Sequence, residues 1–142
     1  MSMNPSEVTM TSQPQSTQDG GNPAAANCAI EQKQIGGARV VSVSGTVDML
    51  TAPQLEAAIS AAATESPVAV IVDLSAVDFL ASAGMGVLVA AHGDLAPTLR
   101  FMIVADGPST SRPLKLVGIA DLIELFVTLD EALVAVSQLD RS

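Results

Sequence analysis

Apolar positions along the chain fall into three patterns, and each predicts a different element. In Arg39–Ser44 (RVVSVS) valine alternates with serine, the period of two expected of a strand with one wet face. Ala29–Ile35 precedes it across Gly36-Gly37, a hairpin dipeptide, so the two segments are expected to pair antiparallel. Leu55, Ala58, Ile59 and Ala62 recur at helical spacing over Ala52–Glu65, with Thr51 at the capping position, Pro53 in the first turn and Pro67 as the stop. Val68–Leu74 (VAVIVDL) and Leu99–Ala105 (LRFMIVA) are continuous apolar runs, the signature of strands buried on both faces. The first of these ends at Asp73-Leu74, and a short connection with Phe79-Leu80 packed inward leads to a helix over Ser82–Leu95. A helix from about Pro108 to Val117, stopped by Gly118, and a short strand Leu125–Thr128 follow. Asp130 caps a last helix, Glu131–Leu139, with Ala132, Leu133 and Val136 inward.

The resulting order is β-β-α-β-α-β-α-β-α. Strands alternating with helices imply crossover connections, hence an α/β domain with a mostly parallel central sheet, an antiparallel N-terminal strand and about four helices. Residues 1–27 are rich in Ser, Thr, Gln, Asn, Pro and Gly and lack Leu, Ile and aromatics, so a disordered tail is expected there and one folded domain over 28–142. Patterning yields a class and a set of elements, and no function.

Composition narrows the functions that remain. Apolar residues make up 49% of the chain but aromatics only 2%, with no Trp or Tyr, so the core is aliphatic and stacking on bases or sugars is nearly excluded. The formal charge of −9 repels nucleic-acid phosphates and anionic membrane surfaces and is compatible with a basic protein partner. Cys28 is the only cysteine, which leaves no internal disulfide and no cysteine-based metal site. The first basic residue is Lys33, so no signal-peptide n-region precedes an apolar stretch, and the uncharged run between Asp78 and Asp94 is too short to span a bilayer. A cytoplasmic protein without cofactor, metal or small-molecule substrate is expected.

The chemistry concentrates in residues 70–91, VIVDLSAVDFLASAGMGVLVAA. Ser82 stands where a buried strand gives way to a helix, beyond the strand's C-terminal end, a place where open α/β sheets present partners and ligands. Its hydroxyl has two readings. As an N-cap it would accept first-turn amides, worth about 1 kcal/mol. As a phosphoacceptor it would place roughly −1.5 to −2 charges at a helix N-terminus that tolerates them. Gly84 and Gly86 leave room either for tight helix–sheet packing or for the approach of another backbone.

This stretch resembles the switch region of anti-sigma factor antagonists of the STAS-domain family, whose pattern is an acidic strand end, a Phe-hydrophobic pair and then Asp-Ser-Ser/Thr-Gly-hydrophobic-Gly. Here it stands as Asp73-Leu74, Phe79-Leu80 and Ala81-Ser82-Ala83-Gly84-Met85-Gly86. Gly45-Thr46-Val47-Asp48 with Thr51-Ala52-Pro53 matches a second family segment, and Arg112 with Leu116, Gly118 and Ile119 a third. The resemblance spans residues 29–139. It implies that Ser82 is the phosphorylated residue and that Asp48, Ala81, Ser82, Ala83, Gly84, Met85 and Gly86 form the partner-binding face. It implies as partner an anti-sigma factor that is itself a serine kinase. ATP and Mg²⁺ would belong to that kinase, since the chain has no phosphate-binding Gly-x-x-x-x-Gly-Lys loop. Two departures stand out: Ala81 replaces the family's Asp, and Ala83 removes the second hydroxyl.

A hydrolase is the competing class, and the residues argue against it. A-S-A-G-M-G is not a Gly-x-Ser-x-Gly elbow, and His92, the only histidine, lies ten residues from Ser82 along one predicted helix. The chain is therefore read as a non-enzymatic regulator. The alternative is a STAS adaptor subunit of a transporter or sensory complex without phosphoswitching. Arg112 is expected to pair locally within its helix, Asp48 and Asp73 to cap loops at strand ends, and Met85 and Met102 to fill core.

Overall fold

The computed structural model describes residues 28–140; the segment 1–27, for which disorder is expected, lies outside the described residues. Five strands form one sheet in the order of the sequence. Strands β1 (Cys28–Ile35) and β2 (Ala38–Val47) make an antiparallel hairpin, Ile35 facing Ala38 across Gly36-Gly37, where Gly36 has φ +58°. Strands β3 (Ala69–Leu80), β4 (Arg100–Val104) and β5 (Glu124–Phe126) then add in parallel. Between them run α1 (Ala52–Ala63), α2 (Ser82–Leu95), and the pair α3 (Ser111–Leu116) and α4 (Ile119–Leu122); α5 (Leu129–Asp140) closes the fold.

Strand order and handedness together decide where the helices go. Parallel crossovers are right-handed, so connections that always step in the same direction along the sheet put their helices on one face. One core accordingly joins Leu55 and Ile59 of α1, Leu88 of α2 and Leu114 of α3 to Val41, Val70, Val72, Phe101 and Ile103 of the sheet. The last helix, α5, follows the final strand and covers the other face, where Ala132 and Val136 meet Val40, Ile71, Met102 and Val104. Two buried faces explain the unbroken apolar runs in β3 and β4.

Several elements depart from the sequence reading. β3 continues through Asp73 to Leu80 instead of ending there, because β2 also extends, to Val47, and pairs with it across two register shifts. Those irregularities break the strict alternation that marks a strand in sequence. Leu80 is buried as expected, but Phe79 is 55% exposed, since adjacent strand residues point to opposite faces. α3 begins at Ser111, and Gly118, at φ +85°, starts the additional turn α4 rather than only ending a helix. The last helix is capped by Thr128, whose Oγ1 accepts the Glu131 N–H at 3.1 Å, not by Asp130.

α2 seats on the sheet through Gly84. A Cβ at that position would lie 2.6 Å from Val47 Cγ1 and 2.8 Å from Leu80 Cδ1, whereas a Cβ at Gly86 meets nothing within 4 Å. The two glycines should therefore respond oppositely to alanine. Gly86→Ala is expected to stabilise by about 0.5–1 kcal/mol through helix propensity. Gly84→Ala should destabilise by about 1–3 kcal/mol, because overpacking against the stiff, fully buried Val47 outweighs that gain. Urea unfolding of both variants checks this; equal stabilisation would disprove the packing account.

Candidate functional site

The site is built where β2 and β3 end side by side. Val47 pairs with Leu80, and the Ala81 N–H continues the ladder by donating to the Val47 carbonyl at 2.8 Å. The residues that follow each strand, Asp48 and Ser82, are thereby held at one corner of the sheet.

Ser82 is the first residue of α2, one place past the capping position expected for it. Ala81 occupies that position in extended conformation, φ −83° and ψ 169°, and its methyl group offers no cap. The Ala81 carbonyl accepts the Gly84 and Met85 N–H groups at 3.0 and 3.1 Å and starts the helix. The Ser82 side chain is exposed, and its hydroxyl has no hydrogen-bond partner among the described residues. The N-cap reading of Ser82 therefore fails: the chain turns into the helix one residue earlier.

Asp48 is anchored by a small network. Its Oδ1 accepts the Leu50 and Thr51 N–H groups at 3.0 and 3.1 Å, a capping carboxylate for the β2–α1 turn. Thr51 stands at the head of α1 but does not cap it with its side chain. Its hydroxyl instead accepts the Asp48 N–H at 2.9 Å and shares its proton between the Thr46 carbonyl at 3.0 Å and Asp48 Oδ1 at 3.2 Å. Thr51 is 4% exposed, so these bonds are made largely out of water. Cys28 packs behind it. Burial pushes the Cys28 thiol up from its ordinary value, the Thr51 hydroxyl partly opposes this, and the Asp48 carboxylate adds to the rise. A thiol so placed stays protonated and unreactive near neutral pH.

The remaining predicted residues divide by depth. Ala81, Ala83 and Met85 are half-buried, with Met85 packed against the core, and Gly86 is exposed beside Ser82. Gly84 is buried, so its missing side chain serves the seating of α2 and not the approach of a second backbone. Asp73 lies inside β3, where Oδ1 accepts the Ser75 N–H at 3.0 Å and the Ser75 hydroxyl at 2.5 Å; it is not at a strand end. Arg112 makes no local pair among the described residues. His92 packs its ring against Phe101, with centroids 6.4 Å apart.

Sequence reasoning missed three apolar side chains around this corner: Met49 at 76% exposure, Leu50 at 74% and Phe79. Met49-Leu50 between Asp48 and Thr51 was a usable signal, since a tight turn offers apolar residues no core to enter. Asp48 precedes Met49 and the exposed Asp78 precedes Phe79 in the chain, and β2 and β3 carry only one basic residue, Arg39, near the hairpin end. Exposed apolar side chains next to carboxylates are chemically suited to a protein surface of the opposite charge pattern. Among the described residues no group of His, Cys, Asp or Glu is placed to hold a metal ion, and no helix is long and apolar enough to cross a membrane.

Comparison with known proteins gives this geometry a context. The STAS domain model matches residues 29–132. The anti-sigma-F factor antagonist RsfB of Mycobacterium tuberculosis is 39% identical over 107 residues, 74% of this chain and 88% of that protein. The crystal structure of an anti-sigma factor antagonist from Mycobacterium paratuberculosis superposes with a TM-score of 0.74 at 45% identity, covering 78% of this chain and 94% of the other. Unphosphorylated SpoIIAA shares the fold, with a TM-score of 0.65 at 20% identity over 78% of this chain and 97% of its own.

The Thr51 network yields a prediction. Thr51→Val keeps the shape but strands the Thr46 carbonyl and the Asp48 N–H, and should cost about 1–3 kcal/mol of stability. Thr51→Ser, which keeps the hydroxyl, should recover most of it. Urea titrations of the pair test this; a valine variant as stable as the parent would remove the network from the account.

Proposed function

The chain belongs to the STAS domain family, and we propose that it acts as an anti-sigma factor antagonist whose binding face is switched at Ser82. The observation that carries the switch is the exposed, unpartnered Ser82 hydroxyl at the start of α2, beside the anchored Asp48 and the exposed Met49, Leu50 and Phe79. Similarity to the two mycobacterial antagonists supports an anti-sigma factor as the partner.

On this reading the unmodified protein docks its acidic, apolar-studded corner on the anti-sigma factor and frees the sigma factor for transcription. The partner is a serine kinase. It moves the γ-phosphoryl group of ATP onto Ser82 Oγ, the hydroxyl proton leaves to a base on the kinase, and ADP departs. The protein supplies the acceptor and its position, and no catalytic group. A phosphate at the first residue of α2 adds roughly −1.5 to −2 charges, which the helix N-terminus accommodates without unfolding. The cost falls on the complex, where the charge is desolvated and stands near Asp48 and Asp78. Ala81 leaves Ser82 without a neighbouring carboxylate in its own turn, so orientation of the hydroxyl falls to the kinase. The reaction belongs to the cytoplasm, where sigma factors meet RNA polymerase.

The test combines modification with binding. Incubation with the cognate anti-sigma factor and ATP should add one phosphate, located at Ser82 by mass spectrometry. Ser82→Asp should weaken binding about ten- to hundredfold while Ser82→Ala keeps it. Phosphate at another residue, or equal affinity of parent and both variants, would refute the switch.

A further inference from the structure

The sheet ends on one side at β1, whose only strand neighbour among the described residues is β2. A row of unpaired amides and carbonyls attracts another strand, so natural sheets blunt their edges with short strands, prolines, bulges or lysines. β1 uses little of this. It runs eight residues, contains no proline, and keeps an unbroken register with β2. Its one lysine, Lys33, has Glu31 two places before it, so the two side chains share a face, and both residues are exposed.

The hairpin decides which backbone groups are left over. Its two-residue turn is flanked by the pair Ile35–Ala38, and the pair flanking such a turn exchanges both hydrogen bonds. Bonding alternates along an antiparallel strand, so Lys33 and Glu31 also bond β2. The N–H and C=O groups of Ile30, Gln32 and Gln34 point away from β2, and no hydrogen bond to them is made among the described residues. A second β1 strand running antiparallel meets these groups with even-numbered residues opposite even-numbered ones. The charges then choose the register. Centred on Glu31, the pairing sets glutamate against glutamate; centred on Lys33, it sets lysine against lysine. Centred on Gln32, it sets Glu31 of each copy opposite Lys33 of the other, and Ala29 opposite Ile35.

We propose that two copies of this chain associate through β1, as an antiparallel pair with its two-fold axis at Gln32, joining their sheets edge to edge. Such an axis requires a self-complementary surface, and the sequence from Ala29 to Ile35 provides one. Glu31 and Lys33 occupy the non-hydrogen-bonded positions of the new pair, where side chains of facing strands approach most closely. The chain's net charge of −9 repels a second copy, but exposed charges more than about 8 Å apart are largely screened at physiological salt, whereas the opposed pairs are nearer than that. β1 reaches along β2 only to Gly45, so the shared edge leaves out Asp48 and Ser82 and does not depend on the reading given to that corner.

The test is sedimentation equilibrium of the full chain at physiological salt, with amide hydrogen exchange followed at low and high protein concentration. A reversible monomer–dimer equilibrium is expected. Exchange at Ile30, Gln32 and Gln34 should slow as the dimer forms, while Glu31 and Lys33, already bonded to β2, change little. Glu31→Lys and Lys33→Glu should each weaken dimerisation about tenfold, because two opposed pairs become repulsive in each dimer. Mixing the two variants, or combining both changes in one chain, should restore association, since opposite charges again face each other. A parent that stays monomeric at millimolar concentration, single variants that dimerise as well as the parent, or a double variant that does not recover would overturn the proposal. Slow exchange at the three amides at every concentration would assign the edge to another segment of the same chain and overturn it as well.

Discussion

The hydrogen bond from the Ala81 N–H to the Val47 carbonyl is the constraint on which this protein's surface chemistry depends. It closes the parallel ladder one residue past Leu80 and forces two chain segments, thirty-odd residues apart in sequence, to leave the sheet at the same corner. Gly84 makes that closure possible, because α2 must start in contact with Val47 and Leu80, and a side chain there would collide with both. Each partner in the arrangement supports the other: the strand ends position the helix, and the bare backbone of the helix lets the strand ends stay paired.

From this constraint follows a division of labour among neighbouring residues. Gly84 and Leu88 face the core, while Ser82, Gly86 and Val89 of the same helix face outward. Asp48 is held by amides of its own turn and by the hydroxyl of Thr51, itself buried against Cys28. A carboxylate fixed in this way offers its charge to a partner without a large loss of side-chain freedom on binding. Met49, Leu50 and Phe79 add exposed apolar area at the same corner, and the proposed binding face would combine that area with the fixed carboxylate. In the proposed switch, a phosphate on Ser82 would act where exposed apolar area and fixed negative charge already meet.

The two ends of the parallel strands carry different kinds of charge. Arg39 and Arg100 lie toward the strands' opposite end, with Arg100 neutralised by Glu124, which it holds below the usual carboxylate range chiefly by hydrogen bonding. Arg112 and Lys115 stand instead on α3, three residues apart and exposed. A strongly acidic chain thus keeps two of its few positive charges together.

The sequence by itself determined the class and the order along the chain of the strands and four main helices, and it singled out Ser82 as a candidate. Those features follow from local periodicity and turn chemistry, which are written in neighbouring residues, and from a motif that fits a known family. Val68–Leu74 reads as a doubly buried strand because its whole run is apolar, and the Gly36-Gly37 hairpin announces itself. Only the tertiary structure decided how far β3 runs, that Phe79 turns outward, that Ala81 and not Ser82 stands at the capping position of α2, and that Gly84 is a packing residue while Gly86 is not. Each of these depends on what lies across a strand pair or beneath a helix, and contacts between residues distant in the chain leave no period to read. Thr51 shows the boundary: a threonine before a helix reads as a cap, but its hydroxyl bonds Asp48 and the Thr46 carbonyl of β2, partners that the fold brings to it.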